Sequence, residues 1–150
     1  MAYENTLVAV SKSQEAIRKL ILSNGGSAIG FLSQPPMEGF QAHVAIDGKT
    51  YLIRIVAQVK EVAQRRRRSR FATPTDAQDK EARRVWRVLY YHMKSLFEAA
   101  ASGVIELREM LLPYIVANDG KTVAEHLLPK LDQALAGRPE RLLPAPKGDA

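Results

Sequence analysis

The sequence predicts an α+β fold: a small antiparallel sheet, one N-terminal helix and a C-terminal helical part containing one long helix. Three observations predict it. Two alternating apolar runs meet at Asp47-Gly48, an apolar helical period extends from about residue 75 to 102, and the 150 residues are 46% hydrophobic and 25% charged. That composition is ordinary for a folded domain, and the length allows roughly two thirds of the unfolded surface to be buried in one core.

At the N-terminus, Thr6 to Val10 reads as a short strand. Ser11 with Gln14 three positions on then forms a capping-box pattern that opens a helix. Ile17, Leu20 and Ile21 share one face of that helix, and Asn24-Gly25-Gly26 supplies the left-handed stop that helix ends favour. Ala28 to Leu32 reads as another strand.

After Pro35-Pro36 the clearest local signal appears: apolar residues at Phe40, Ala42, Val44 and Ile46, then Asp47-Gly48, then Tyr51, Ile53 and Ile55. An Asp-Gly pair between alternating strands favours a two-residue type I′ turn. Pairing Ile46 with Lys49 sets Val44 opposite Tyr51, Ala42 opposite Ile53 and Phe40 opposite Ile55, so one sheet face is apolar. Gln41, His43 and Arg54 fall on the other face, available to solvent or to a partner.

From about 62 to 74 the chain lacks apolar period and carries Arg65, Arg66, Arg67, Arg68 and Arg70, which is expected to be a mobile basic loop. Thr75 with Gln78 offers a cap, and Asp76 and Asp79 suit the positive end of a helix. The helix that follows is expected to run to about Ser102 and stop at Gly103, burying Ala82, Val85, Leu89, Met93, Leu96 and Ala100. Ile105 to Leu112 reads as a shorter helix interrupted by Pro113, and Asn118-Asp119-Gly120 as a turn. Thr122 to Glu125 repeats the capping pattern. Leu127, Leu128, Leu131 and Leu135 form a last apolar face, with Pro129 expected to kink or divide it. Residues 1–136 are thus expected as a single domain, and 137–150, with Pro139, Pro144 and Pro146, as a proline-rich tail.

The absence of cysteine excludes disulfides, thiolate metal sites and a cysteine nucleophile, and favours a cytoplasmic setting. No apolar run approaches a membrane span, and no secretory signal opens the chain, so no membrane partner is expected. The charge is more informative. Lys60 to Arg87 holds ten basic residues against four acids, an excess equal to the whole net charge of +6.

Within that window and just beyond it, Arg83, Arg87, Tyr91 and Lys94 are spaced by four, four and three, which sets them on one helix face. Arginine forks bind phosphate bidentately, and tyrosine rings stack on bases. The candidate phosphate-binding set is therefore Arg65, Arg66, Arg67, Arg68, Arg70, Arg83, Arg87, Tyr91 and Lys94. The plain alternative is a solvated helix face beside a solubilising loop. His43, His92 and His126 lack metal-ligand spacing, and Glu106 with Glu109 or Asp76 with Asp79 are explained by helix position. No phosphate-cradling glycine loop or nucleophile elbow occurs, and Gly25, Gly26 and Ser27 serve most simply as a helix stop. No catalytic residue, metal or cofactor is expected, and the chain is not expected to be an enzyme.

The order of several short pieces adds a resemblance. Tyr3-Glu4-Asn5-Thr6, Lys12-Ser13 leading to Ile17 and Leu20, Arg84-x-Trp86-Arg87, Lys94, Gly103, Glu109 with Leu111-Leu112, and Asp119-Gly120-Lys121-Thr122-Val123 together resemble a family of small uncharacterised proteins of tailed phages and prophages. Where the family helix usually carries an acid directly after a leucine, this chain has Leu96-Phe97-Glu98. The resemblance implies a viral setting in the host cytoplasm and brings no assigned activity and no site residues. With the charge, it points to a non-enzymatic accessory protein that binds nucleic acid or another phosphate-rich ligand. The alternatives are an anti-defence protein that sequesters a cyclic or signalling nucleotide between subunits of a homo-oligomer, and an inhibitor of a host protein.

Overall fold

The structure is a computed structural model that describes residues 2–34, 36–59 and 74–137. Its first helix, α1, spans Val10–Ser23 and buries Ser13, Ile17 and Ile21, a stripe four residues apart. The strand expected over Thr6 to Val10 is not formed. Residues 6–9 are irregular, Ala9 in extended backbone is the N-cap, and the Ser11 side chain makes no capping bond. The helix instead starts ahead of Ser11, the N–H groups of Lys12 and Ser13 donating to the Ala9 carbonyl at 3.1 and 3.2 Å. The stop falls where expected: Asn24 donates its backbone N–H to the Ile21 carbonyl at 3.1 Å and its side-chain amide to Leu20 at 2.7 Å, and Gly25 adopts φ +88°.

Three strands follow, β1 (Gly26–Gln34), β2 (Met37–Ile46) and β3 (Lys49–Gln58), in the antiparallel order β1-β2-β3. Asp47 at φ +50° and Gly48 at φ +77° make the type I′ turn, and Ile46 pairs with Lys49, Val44 with Tyr51, Ala42 with Ile53 and Phe40 with Ile55. That is the register the alternation dictates, because a slip of one residue would turn the apolar face outward. β1 pairs Phe31 with Phe40 and Ile29 with Ala42, and adds both side chains to the margin of the core.

The long helix α2 (Pro74–Ala101) extends about 42 Å and packs against α1 and the inner face of β2. Its fully shielded residues are Val85, Trp86, Leu89, Met93 and Phe97, while Ala82, Leu96 and Ala100 are only half-buried. The stripe is thus rotated toward the two large aromatics, which fill more of the space between helix and sheet than alanine can. Beyond α2 come α3 (Leu107–Leu111), a 3-10 turn at Leu112–Tyr114 containing Pro113, and α4 (Val123–Gly137). Between the 3-10 turn and α4, Ile115 bridges Ile53 and the Val116 N–H donates to the Leu52 carbonyl at 2.8 Å, so this short extended segment occupies the outer edge of β3.

The α4 capping box forms as expected: the Thr122 N–H donates to Glu125 Oε2 at 2.6 Å and the Glu125 N–H to Thr122 Oγ1 at 3.2 Å. Pro129 lies inside a helix that is continuous through it. Leu127, Leu128, Leu131 and Leu135 are 38–55% exposed rather than folded into the core. No described helix is long and apolar enough to cross a membrane.

Candidate functional site

A helix turns about 100° per residue, so the four-four-three spacing sets Arg83, Arg87, Tyr91 and Lys94 along one side of α2, flanking the buried Trp86 and Phe97. Arg83, Arg87 and Lys94 are half-buried there and Tyr91 is exposed. The Nε atoms of Arg83 and Arg87 are shielded from solvent and have no hydrogen-bond partner among the described residues. Each guanidinium carries five N–H donors in a fixed fork whose geometry matches the oxygens of a carboxylate or phosphate. The Arg87 guanidinium also lies 5.3 Å from the centre of the Tyr90 ring, which holds it by cation–π attraction.

The same face carries contacts that the sequence pattern does not announce. Tyr3 stacks in parallel on Tyr91, with ring centres 5.0 Å apart and planes 4° apart, and Tyr90 meets Tyr91 edge-on at 5.0 Å. Lys80 donates to the Asn5 side-chain oxygen at 3.2 Å. Residues 3–5 thereby lie as an arm along the basic face, with Tyr3 held at φ +62°, a backbone conformation that bulky residues rarely adopt. Tyr3 and Asn5 belong to the N-terminal cluster that enters the phage resemblance. Nothing in local spacing pairs them with a helix some 75 positions later.

Charge on the face is partly matched. Arg84 grips Glu81 through two bonds of 2.9 and 2.6 Å, and this hydrogen bonding raises the guanidinium above its ordinary value, with a smaller contribution from the charge of Glu4. Lys94 stands 3.7 Å from Glu98, an exposed pair of little energetic weight. Of the expected site residues, Arg83, Arg87, Tyr91 and Lys94 are brought onto one surface. Arg65, Arg66, Arg67, Arg68 and Arg70, with the expected loop at about 62–74, lie outside the described residues up to Pro74, as does the tail after Gly137.

Elsewhere several ionisable groups are engaged in local hydrogen bonds. His126 Nε2 lies 2.8 Å from Asp119 Oδ2, and the Asp119 carboxyl is held below its ordinary value, first by this bond and then by the Lys121 N–H. His92 Nε2 is 3.0 Å from the Tyr114 hydroxyl, and His43 sits exposed on the open sheet face. Among the described residues no group of three or more His, Cys, Asp or Glu is arranged to hold a metal ion. Gly25 is engaged in the fold, its carbonyl accepting the Ala45 N–H at 3.0 Å. No family model, no curated protein and no solved structure matches the chain.

Proposed function

We propose that the chain is a non-enzymatic accessory protein of a tailed phage that binds nucleic acid in the host cytoplasm. Its phosphate contacts come from Arg83 and Arg87 on α2 together with Arg65, Arg66, Arg67, Arg68 and Arg70, with Lys94 adding charge and Tyr91 a stacking surface. The observation that carries the reading is the pair of arginines one helical turn apart, whose Nε donors have no acceptor among the described residues, set beside Tyr90 and Tyr91. Phosphate oxygens are the acceptors such forks match best, and a tyrosine face takes any base, which suits a ligand recognised by backbone and stacking rather than by sequence.

The test is binding of the purified full chain to single- and double-stranded DNA and RNA across a salt series. Seven arginine–phosphate contacts give a log–log slope of about −6 on duplex DNA and about −5 on single strands, from roughly 0.9 and 0.7 counterions per contact. A flat slope, or no binding at low salt, removes the proposal. Titration calorimetry with cyclic and linear nucleotides separates the alternative: a stoichiometric small-ligand complex without polymer binding assigns the same residues to sequestration of a signalling nucleotide. Recovery of a host protein after nuclease treatment, with neither ligand bound, assigns the basic surface to inhibition of that protein.

A further inference from the structure

The two edges of the sheet are treated differently. The outer edge of β3 is covered by Ile115 and Val116, whereas no described segment bridges the outer edge of β1. Natural sheets protect a free edge with charge, proline, a bulge or a very short strand. β1 has nine residues, and its one irregularity is a register shift between Gly26 and Ala28, at the start of the strand; from Ala28 to Gln34 it pairs regularly, and it contains neither charge nor proline. In a chain one quarter of whose residues are charged, that neutrality marks an edge built to be paired.

The geometry of the ladder says which groups are free. In a two-residue type I′ hairpin the flanking pair, here Ile46 and Lys49, is hydrogen-bonded, and bonded pairs then alternate along the strands. β2 therefore directs Gln41 and Gly39 toward β1, where they pair with Gly30 and Leu32. The N–H and C=O groups of Ile29 and Phe31 consequently aim outward at the open edge. Both side chains are only half-buried at the margin of the core, Phe31 lying edge-on to Trp86 at 5.8 Å and under the Arg18 guanidinium at 5.4 Å.

Gly30, midway between them, has no reason of its own to be glycine. Its φ is not positive, and an added Cβ would meet only Gln41 Cγ at 3.8 Å, an ordinary contact. Glycine inside a strand weakens it and commonly marks a place where another backbone comes close. Antiparallel self-pairing centred on Gly30 uses that property. The two Gly30 residues then form a non-bonded pair, the position of closest approach at about 4.5 Å between Cα atoms. Ile29 bonds to the partner's Phe31 on the core side, and Ala28 faces the partner's Leu32 on the open side. Apolar residues meet apolar residues on both faces, and no like charges oppose each other.

We infer that the β1 edge is the interface for a second copy of this chain, joining two three-stranded sheets into one six-stranded sheet about a two-fold axis at Gly30. This holds whatever ligand α2 carries. A mass measurement of the full chain over a concentration series, with amide exchange at Ile29 and Phe31, tests it. The expected result is a dimer whose Ile29 and Phe31 amides exchange slowly. Gly30→Lys, which opposes two charges across the axis, is expected to raise the dissociation constant at least about tenfold and to release both amides. Leu32→Lys, at a side chain 37% exposed, serves the same purpose should the first variant fail to fold. A wild-type chain that stays monomeric, a dimer that persists unchanged in a folded variant, or an edge occupied by a peptide of another protein overturns the inference.

Discussion

The indole N–H of Trp86 donates to the carboxylate of Glu38 at 3.1 Å, joining the middle of α2 to the start of β2 across 48 positions. Glu38 is only 8% exposed, and its other oxygen accepts the Ser33 hydroxyl at 3.1 Å, so one acid links two strands to the helix. Trp86 itself is completely buried. A carboxylate so enclosed is tolerable only while its lone pairs are met, because desolvation of an unpaired charge is costly. Trp86→Phe is therefore expected to lower stability by about 1–3 kcal/mol, chiefly by leaving Glu38 Oε2 without its donor. Urea midpoints measure this. Glu38→Gln, which retains an acceptor, is expected to cost less, and equal losses in the two variants would deny the bond its role.

Ser13 presents the opposite case, a completely buried hydroxyl with no partner among the described residues, in the first turn of α1. Ser13→Ala removes a stranded polar atom and improves helix propensity. It is expected to be neutral or stabilising by up to about 1 kcal/mol, read as a raised thermal or urea midpoint.

On the basic face of α2, the Nε atoms of Arg83 and Arg87 have no partner among the described residues, and glutamine keeps part of each half-buried stem, so the main loss to the fold is the contact of Arg87 with Tyr90. The double variant Arg83→Gln with Arg87→Gln is expected to stay folded, losing at most about 1 kcal/mol with the cation–π contact, while its salt slope on duplex DNA falls in magnitude by about 1.8, two contacts' worth. An unchanged slope would exclude both arginines from the phosphate contacts.

The N-terminal arm and a stacked base compete for the same ring. Tyr3→Ala is expected to free the ring face of Tyr91 that Tyr3 covers and tighten binding of single strands, whereas Tyr91→Ala is expected to weaken it by about 1–3 kcal/mol for one lost base stack. Fluorescence anisotropy with a short oligonucleotide measures both. Weaker binding after Tyr3→Ala would instead make Tyr3 part of the stacking surface.

Acid sensitivity is expected at the turn before α4. The Asp119 carboxyl is held low by its bonds from His126 and the Lys121 N–H, and Glu125 by the backbone N–H of Thr122. A carboxyl whose folded value lies below its unfolded one stabilises the fold above the unfolded value and loses that contribution as pH falls through the folded one. Asp119→Asn is thus expected to lower stability at neutral pH and to reduce the further loss on acidification. Urea midpoints taken from neutral into acid solution show it, and parallel curves for parent and variant would count against it.

Much of the fold is legible wherever the deciding contacts are local. The Asp47-Gly48 turn and the alternation around it impose the β2–β3 register, and Thr122 with Glu125 forms the capping box its spacing announces. The start of α1 is not legible in this way, since the helix begins ahead of Ser11 and its first turn closes on the Ala9 carbonyl, which no side-chain pattern marks. Nor is the fate of Leu127, Leu128, Leu131 and Leu135, which carry a core-like period yet stay exposed because α4 packs mainly on the 3-10 turn at Leu112–Tyr114. For the candidate site, the common face of Arg83, Arg87, Tyr91 and Lys94 follows from helical period alone. Its cover by Tyr3 and Asn5 does not.

By itself the sequence determined most of the secondary elements, the apolar face of the Asp47-Gly48 hairpin and the concentration of positive charge, because each depends on residues within a few positions of one another or on simple counting. Only the tertiary structure decided that Trp86 meets Glu38, that residues 3–5 lie along α2, and that Ile115 and Val116 cover β3 while β1 stays open. Those outcomes come from how α1, α2 and the sheet fill space against one another, a balance of burial and hydrogen bonding over distant segments that no local period encodes.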